Sequence, residues 1–274
     1  MSETILRYKY RPFDEGSLCI IKDGTMKFTR PSEFNDPFDC DPEVDEHKHL
    51  NCIKEERRDL LKKAGDSLGL SPAERIQQKG VMLKRLEIAY QNGEFGQKAV
   101  NNVGICSLSR DPLNLLMWAH YAKDHTGFVI EFCIPTQVES EIEPEPENVI
   151  NCLVPLEVKY EEAKPIIDPY DDKSVNLDKR FFVKGHDWKY EQEERVIDYF
   201  RGHGIHSYER KTIFKSVIAG MRMCNDDFVI LKNTVEAMNT ELGINVAVYR
   251  AKPLKGKFAL FVPGREDLSS NPSL

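Results

Sequence analysis

The hydrophobic and polar positions of the chain follow two different periods. Alternation with a period of two is typical of strands, and it predicts strands at residues 5–11, 103–109, 128–132, 152–160, 196–200, 212–219 and 244–249. Apolar residues at helical spacing predict helices, of which the most regular covers residues 226–242. Because helices and strands fall in blocks rather than in strict alternation, we predict an α+β fold around a mixed, largely antiparallel sheet.

Residues 46–100 depart from this pattern because they are charged, have helical periodicity and contain few β-branched clusters. Within them, the run from Ser71 to Glu74 is a capping box with a proline at the first helical position. We therefore predict one α+β domain over residues 1–265, with a helical insertion at about 46–100. Residues 266–274 are predicted to form a flexible tail.

Composition narrows the classes of protein to which the chain can be assigned. Its 274 residues are 41% hydrophobic, which is enough for a sizeable core, and its net charge is −7. Any nucleic-acid contact is therefore expected to be local rather than spread over a basic surface. The sequence has no apolar run of membrane-spanning length, no signal-peptide core and no Cys-x-x-Cys pair among its seven cysteines. These features predict a cytoplasmic protein without membrane association.

The most distinctive stretch covers residues 188–200, where three carboxylates occur within four residues. In an extended conformation Glu191, Glu193 and Arg195 would share one face, and Glu194 would turn to the other. Carboxylates held so close raise the pKa of at least one of them and often form acid/base sites. The alternative is an amphipathic edge strand whose glutamates are solvated.

The first predicted strand, at residues 5–11, carries a row of cations. Arg7, Lys9 and Arg11 would lie on one face, with Tyr8 and Tyr10 on the other. Such a row suits an anion such as a phosphate. The alternative is that Lys9 and Arg11 pair with the acidic loop at residues 36–46.

A loop at residues 31–42 combines three prolines with several aspartates and the apolar anchors Phe34 and Phe38. We expect a shaped loop that lines a site. Asp36, Asp39 and Asp41 are candidate ligands for a hard cation, but their spacing matches no calcium-binding loop. No metal is therefore expected.

Three segments together resemble a known family. They are the stretch from Tyr8 to Asp39 with its Pro-Ser-Glu-Phe-Asn-Asp-Pro-Phe-Asp run, the stretch from Leu115 to Phe132 with its Met-Trp-Ala-His-Tyr-Ala run, and Trp188 to Ile197. This set resembles the bacterial family called domain of unknown function 2971 over roughly residues 7–200. The order of its features is also similar to the ADP-ribosyltransferase superfamily, especially its DNA-modifying toxin branch.

This second resemblance implies an ADP-ribosyltransferase-like fold and an NAD-dependent ADP-ribosyltransferase, with NAD as a substrate. It implies a toxin or phage-defence effector that modifies a macromolecular acceptor, either nucleic acid or protein. A neutralising partner protein is a further candidate partner.

The same resemblance implies roles for individual residues. Glu193 would stabilise an oxocarbenium-like ribose, Glu191 would orient or deprotonate the acceptor, and Ser107 or Ser109 would brace the ribose or the glutamate. The pyrophosphate would be held by Arg11 or Lys9, and the nicotinamide would stack on Tyr121 or Phe34. The implied NAD-binding residues are Lys9, Tyr10, Arg11, Phe34, Asn35, His120 and Tyr121.

Two other classes of function stay open on the sequence. A metal-dependent hydrolase or nuclease would use Asp36, Asp39, His120 and Glu193 to activate water. A non-catalytic recognition module would leave Glu191 and Glu193 exposed on an ordinary edge strand.

Overall fold

The computed structural model describes residues 3–55, 58–91, 102–136 and 146–268. The chain divides into two compact units, each built from more than one stretch of sequence. The first unit comprises Met1–Thr29, Val103–Val158 and Asp187–Leu274, and the second comprises Arg30–Asn102 and Lys159–His186. The second unit contains the insertion predicted at 46–100 and also residues 30–45 and 159–186.

The strands and helices have the following bounds. The strands are β1 Thr4–Arg11, β2 Thr25–Phe28, β3 Glu43–Val44, β4 Gly104–Ser109, β5 Phe128–Pro135, β6 Leu156–Glu157, β7 Lys159–Glu161, β8 Ile166–Ile167, β9 Val183–Gly185, β10 Glu193–Asp198, β11 Gly204–Ser207, β12 Phe214–Ala219, β13 Ala247–Arg250, β14 Lys252–Pro253 and β15 Leu260–Phe261. The α-helices are α1 Glu15–Lys22, α2 Glu46–Glu55, α3 Arg58–Ser67, α4 Pro72–Gln77, α5 Lys79–Gln91, α6 Leu115–Tyr121, α7 Pro146–Asn151, α8 Lys173–Phe181, α9 Arg210–Ile213 and α10 Asn225–Leu242. Short 3-10 helices occupy Pro31–Glu33 and His186–Glu191.

The first unit is built on a seven-stranded sheet in the order β13-β12-β5-β1-β4-β10-β6. All neighbouring strands in it are antiparallel except β12 and β13, which are parallel. The prediction of a mixed, largely antiparallel sheet is therefore confirmed. The strand predicted at 152–160 is instead two short strands, β6 and β7.

Alternation along β1 gives the sheet two different faces. Tyr8 and Tyr10 are buried in a cluster with Trp118 of α6, and we call this side the tyrosine face. On the other side, a larger apolar cluster packs α1 and α10 against the sheet, and we call it the α10 face. Because residues opposite each other in antiparallel strands point to the same side, the pairing of Tyr8 with Ser109 and of Ser109 with Glu193 places all three on the tyrosine face.

The C-terminal stretch completes the tyrosine face. Val262 and Leu268 are buried in the same cluster as Tyr8. Arg265 donates to both carboxylate oxygens of the fully buried Glu131, at 2.8 Å each. Packed residues therefore extend to Leu268, which lies within the stretch predicted as a tail. Residues 269–274 lie outside the described ranges.

The second unit has a small helical core in which Ile53, Leu61 and Met82 pack together. The predicted capping box is confirmed, since the Ser71 hydroxyl and the Glu74 carboxylate each accept from the other's backbone N–H. Ile76 of α4 is exposed. The parallel pairing of β3 with β8 joins its two stretches of chain, and β7 pairs in parallel with β9 within the second stretch. None of the helices in the described ranges has the length and apolar character needed to cross a membrane.

Candidate functional site

The glutamate-rich stretch is not one continuous strand. A 3-10 helix ends at Glu191, Gln192 has a left-handed φ of +45°, and β10 begins at Glu193. The left-handed residue interrupts the alternation, so Glu191 is presented by a turn and only Glu193 by the strand. Glu194 does point to the opposite face, as its spacing predicted.

Glu193 and Arg195 form a buried ion pair on the tyrosine face. The Arg195 guanidinium donates to both carboxylate oxygens of Glu193, over 2.8 and 2.9 Å. Glu193 is 4% exposed and Arg195 is fully buried. Arg195 is therefore the ion partner of Glu193. A bidentate pair of this kind is geometrically rigid.

Glu191 lies where a strand, a helix and a turn meet. Its Oε1 accepts a hydrogen bond of 2.5 Å from the hydroxyl of Tyr121 in α6. Its backbone carbonyl accepts one of 2.7 Å from the hydroxyl of Ser109 in β4. The carboxylate is only 3% exposed, whereas Tyr121 is partly exposed. Ser109, Tyr121 and Glu191, all predicted from the sequence, are thus brought together, and Ser107 lies on the same sheet face opposite Arg195.

Helix α6 is positioned by its own cap and by a buried tryptophan. The Asn114 side chain accepts from the N–H groups of Leu116 and Met117 and so caps the start of the helix. The fully buried Trp118 donates to the carbonyl of Pro112. This anchoring fixes the direction of Tyr121 at the end of the helix.

Aromatic side chains lie beside the Tyr121–Glu191 pair. The exposed His120 ring places Nδ1 3.0 Å from the hydroxyl of Tyr190, with ring centroids 5.9 Å apart. Trp188 packs against Tyr190, with their ring centroids 6.1 Å apart. Tyr190 and Trp188 were not predicted as site residues. The available signal was their position within three residues of Glu191 in a segment otherwise rich in charge.

The cations of the first strand do not join this group. Arg7 is bound to both carboxylate oxygens of Glu194 on the α10 face. Lys9 donates to the carbonyl of Ser107 over 2.7 Å, and burial lowers its pKa. Arg11 donates to the hydroxyl of Ser17 over 3.1 Å. The convergence of Arg11 or Lys9 with Glu193 that the resemblance implied is therefore not seen, because alternation turns these cations away.

Tyr10, also expected at the site, is buried beneath it. Its ring meets that of Trp118 edge-on at 5.5 Å, and its hydroxyl donates to the carbonyl of Asp111 over 2.7 Å. Burial raises the pKa of Tyr10 well above its usual value. The side chain therefore supports α6 as a neutral phenol.

The residues predicted from the proline-rich loop belong to the second unit. There Phe34 is half-buried and Asn35 is exposed, while Phe38 is 69% exposed and so is not a buried anchor. Asp36 is buried and accepts from the backbone N–H of Phe38, and Asp39 pairs with the buried Lys184 at 3.5 Å. These contacts give both aspartates a local structural role.

Two of the open alternatives can be compared with this geometry. Within the described ranges, no group of three or more histidine, cysteine, aspartate or glutamate side chains is placed to hold a metal ion. The recognition-module interpretation predicted exposed glutamates on an edge strand. Instead, Glu191 and Glu193 are buried, and β10 has a neighbour on each side.

Residues 117–196 match the family model described as Protein of unknown function (DUF2971). This match supports the resemblance to the DUF2971 family that the sequence motifs indicated. It is narrower than the 7–200 expected from the sequence, and it contains Tyr121, Tyr190, Glu191 and Glu193. The segment that matches DUF2971 therefore contains most of the candidate site, while Ser109 lies outside it. No curated protein and no solved structure matched the chain.

Proposed function

We propose that this protein is an ADP-ribosyltransferase-like enzyme that transfers ADP-ribose from NAD to a macromolecular acceptor, with Glu191 as the catalytic carboxylate. The observation that carries the proposal is the junction at Glu191. There the Ser-x-Ser strand supplies Ser109, α6 supplies Tyr121, and the Glu-x-Glu segment supplies the carboxylate. These are three of the features on which the resemblance to that superfamily rests.

Transfer of ADP-ribose from NAD requires one carboxylate beside the positive charge that develops on the ribose. The bond between ribose C1′ and the nicotinamide nitrogen breaks, and its electron pair leaves with nicotinamide. A lone pair of the acceptor forms the new bond to C1′, and the acceptor's proton passes to Glu191 and then to solvent. A carboxylate fixed in a water-poor site stabilises the oxocarbenium-like state more strongly than one in bulk water.

In this proposal Glu193 is a positioning residue rather than the catalytic one. Both of its oxygens are bound by the fully buried Arg195. Its pair holds the start of β10 next to Ser109, and so fixes the turn that presents Glu191. Relative to the expectation from the sequence, the role of stabilising the ribose thus moves from Glu193 to Glu191, which also takes the acceptor's proton.

The aromatic side chains beside Glu191 suit a planar nicotinamide ring. His120 is exposed and Tyr121 and Tyr190 are partly exposed, so their rings are accessible to a planar ligand. Offset stacking on such rings contributes about 0.5–1.5 kcal/mol beyond simple burial. We place the nicotinamide against these rings, with C1′ next to Glu191.

The test uses a conservative pair of variants. Glu191→Gln keeps the shape of the side chain and its bond to Tyr121 but removes the charge, so we expect release of nicotinamide to fall about 10²–10³-fold with NAD affinity largely kept. Glu194→Gln is the matched control, because it changes a buried carboxylate three residues away on the α10 face. NAD binding is followed by isothermal titration and turnover by nicotinamide release.

Absence of NAD binding to the wild type, or equal turnover in the two variants, would overturn the proposal. An effector role adds one expectation. Expression of the wild type in bacteria slows growth, and the Glu191→Gln variant relieves that effect.

A further inference from the structure

A β-hairpin formed by β14 and β15, which we call the lysine hairpin (residues 252–261), projects from the first unit. Its strands pair Lys252 with Phe261 and Pro253 with Leu260. The turn is closed by a hydrogen bond of 2.8 Å from the N–H of Leu254 to the carbonyl of Ala259. The flanking residues Ala251, Leu260 and Val262 are buried in the tyrosine-face cluster, to which Tyr121 and Tyr190 also belong. The base of the hairpin is therefore anchored by buried apolar side chains.

The tip of the hairpin displays a bare aromatic ring. Phe258 is 102% exposed, which means that it has as much accessible surface as in an extended peptide. Burying a phenylalanine stabilises a protein by roughly 1.5–3 kcal/mol, so this fold gains nothing from the side chain. The neighbouring turn residues Lys255, Gly256 and Lys257 are exposed as well.

The charge around this ring is opposite to that of the whole chain. Residues 242–265 contain no aspartate or glutamate, although the chain has 45 acidic residues. They contain five cations, namely Arg250, Lys252, Lys255, Lys257 and Arg265. The two arginines are used inside the fold, where they bind Asn225 and Glu131. The three lysines are exposed and make no ion pair with any described residue.

We propose that the lysine hairpin binds single-stranded nucleic acid, with Phe258 stacked on a base and Lys255 and Lys257 in contact with phosphates. A base offers the flat π-face that one isolated ring can use, and the backbone on either side of it supplies the anions. This local basic element also fits a protein whose net charge is −7.

Two other partners fit the same hairpin less well. A membrane surface would gain from several apolar side chains, yet at this tip only Phe258 is fully exposed while Leu254 is partly buried. An acidic protein segment would use the lysines but would not need an exposed ring. The combination of one ring with flanking cations favours an unpaired nucleic-acid strand.

Binding by the hairpin is independent of the catalytic proposal, whereas naming the bound strand as the acceptor of ADP-ribose rests on the proposed function. The two are separated by measuring binding without NAD. Failure of NAD turnover would leave the binding result intact, and failure of binding would leave turnover measurable by nicotinamide release.

The experiment measures fluorescence anisotropy of a labelled oligothymidylate of about 12 nucleotides, a length within the usual site sizes of single-strand binders. Phe258→Ala is expected to weaken binding about 5- to 150-fold, with an unchanged salt dependence. Lys255→Ala/Lys257→Ala is expected to weaken binding and to reduce the slope of log affinity against log salt by about 1.4. Because all three side chains are exposed, the variants should fold normally, which circular dichroism checks.

The controls are exposed residues elsewhere in the same unit. Phe200→Ala removes another ring, 71% exposed, and Lys211→Ala/Lys232→Ala removes two exposed lysines. Neither is expected to change the affinity by more than about twofold. The inference is overturned if the wild type does not bind the strand at low salt, or if Phe258→Ala behaves like Phe200→Ala. It is also overturned if only vesicles of anionic lipid, and not the oligonucleotide, distinguish Phe258→Ala from wild type.

Discussion

Removal of the Arg265 guanidinium tests how the C-terminal stretch is held to the sheet. Arg265 donates to both oxygens of Glu131, whose carboxylate is fully buried and also accepts from Ser216 over 2.6 Å. In Arg265→Ala the carboxylate stays buried without its cation. Such a loss costs about 3–5 kcal/mol, and because the Ser216 bond remains we expect the lower end, about 3 kcal/mol.

This magnitude is readily measured. For proteins of this size, each kcal/mol shifts the melting temperature by roughly 2–4 °C, so Arg265→Ala should melt roughly 6–12 °C below wild type. Urea unfolding followed by tryptophan fluorescence gives the free energy directly. Asp267→Ala is the matched control, since it removes an exposed partner of the same arginine and should cost about 1 kcal/mol or less.

A second variant separates charge from packing. Glu131→Gln combined with Arg265→Ala leaves no buried charge, so it should be less destabilised than the sum of the two single variants. If the free energies of unfolding of Arg265→Ala and Asp267→Ala differ by less than about 0.5 kcal/mol, the guanidinium does not neutralise Glu131 in the way described.

Three further outcomes follow from other parts of the first unit. Burial raises the pKa of Tyr208 in the folded protein, so the stability contributed by its neutral phenol is fully present below about pH 10, the pKa in the unfolded chain, and declines as the pH rises further. Tyr208→Phe should therefore flatten the alkaline decline of the unfolding free energy measured in urea, and should lose about 1 kcal/mol at neutral pH because the bond to the Ile20 carbonyl is removed. Gly220→Ala would place a Cβ 2.1 Å from the carbonyl oxygen of His125, so a melting experiment should show about 1–3 kcal/mol of destabilisation, and an unchanged melting temperature would contradict the close approach. Lys9→Met should change NAD affinity by less than about twofold, because Lys9 lies on the α10 face. Loss of NAD binding in isothermal titration would instead show that Lys9 contributes to the NAD site.

Local pattern was sufficient for the central strands. Alternation in residues 5–11 correctly separated Tyr8 and Tyr10 from Arg7, Lys9 and Arg11, because a pleated strand in the middle of a sheet has two distinct environments. The pattern did not say which face would carry Glu191. That depends on the pairing of β1 with β4 and of β4 with β10, which joins residues far apart in sequence.

The interruption of the strand at Gln192 could not be predicted from the sequence pattern. A left-handed φ at a residue other than glycine has no periodic signal, and it is held here by the 3-10 helix before it and the strand after it. An extended interpretation therefore put Glu191 and Glu193 on one strand, and the resemblance then ranked Glu193 above Glu191. The aromatic neighbours Trp188 and Tyr190 were missed for the same reason, since a turn rather than alternation presents them.

The second unit was also only partly foreseen. Its helices have clear periodicity, and the capping box at Ser71 was correctly identified. The stretch at residues 159–186 joins it through strands of only two residues, in which Glu43 pairs with Ile166. Pairs so short leave no alternation to detect.

The central position of β1 has a consequence for the order in which the protein can fold during its synthesis. On one edge β1 pairs with residues 128–135 of β5, and on the other edge Tyr8 pairs with Ser109 of β4. The sheet is then extended by strands that begin at residues 193, 214 and 247, and until these are made β4 and β5 each expose unpaired backbone groups on their outer edge. Such long sequence separations between partners slow folding and lengthen the time in which the nascent chain can associate wrongly. We therefore expect the first unit to fold only after nearly the whole chain has emerged, and chaperones to improve its yield.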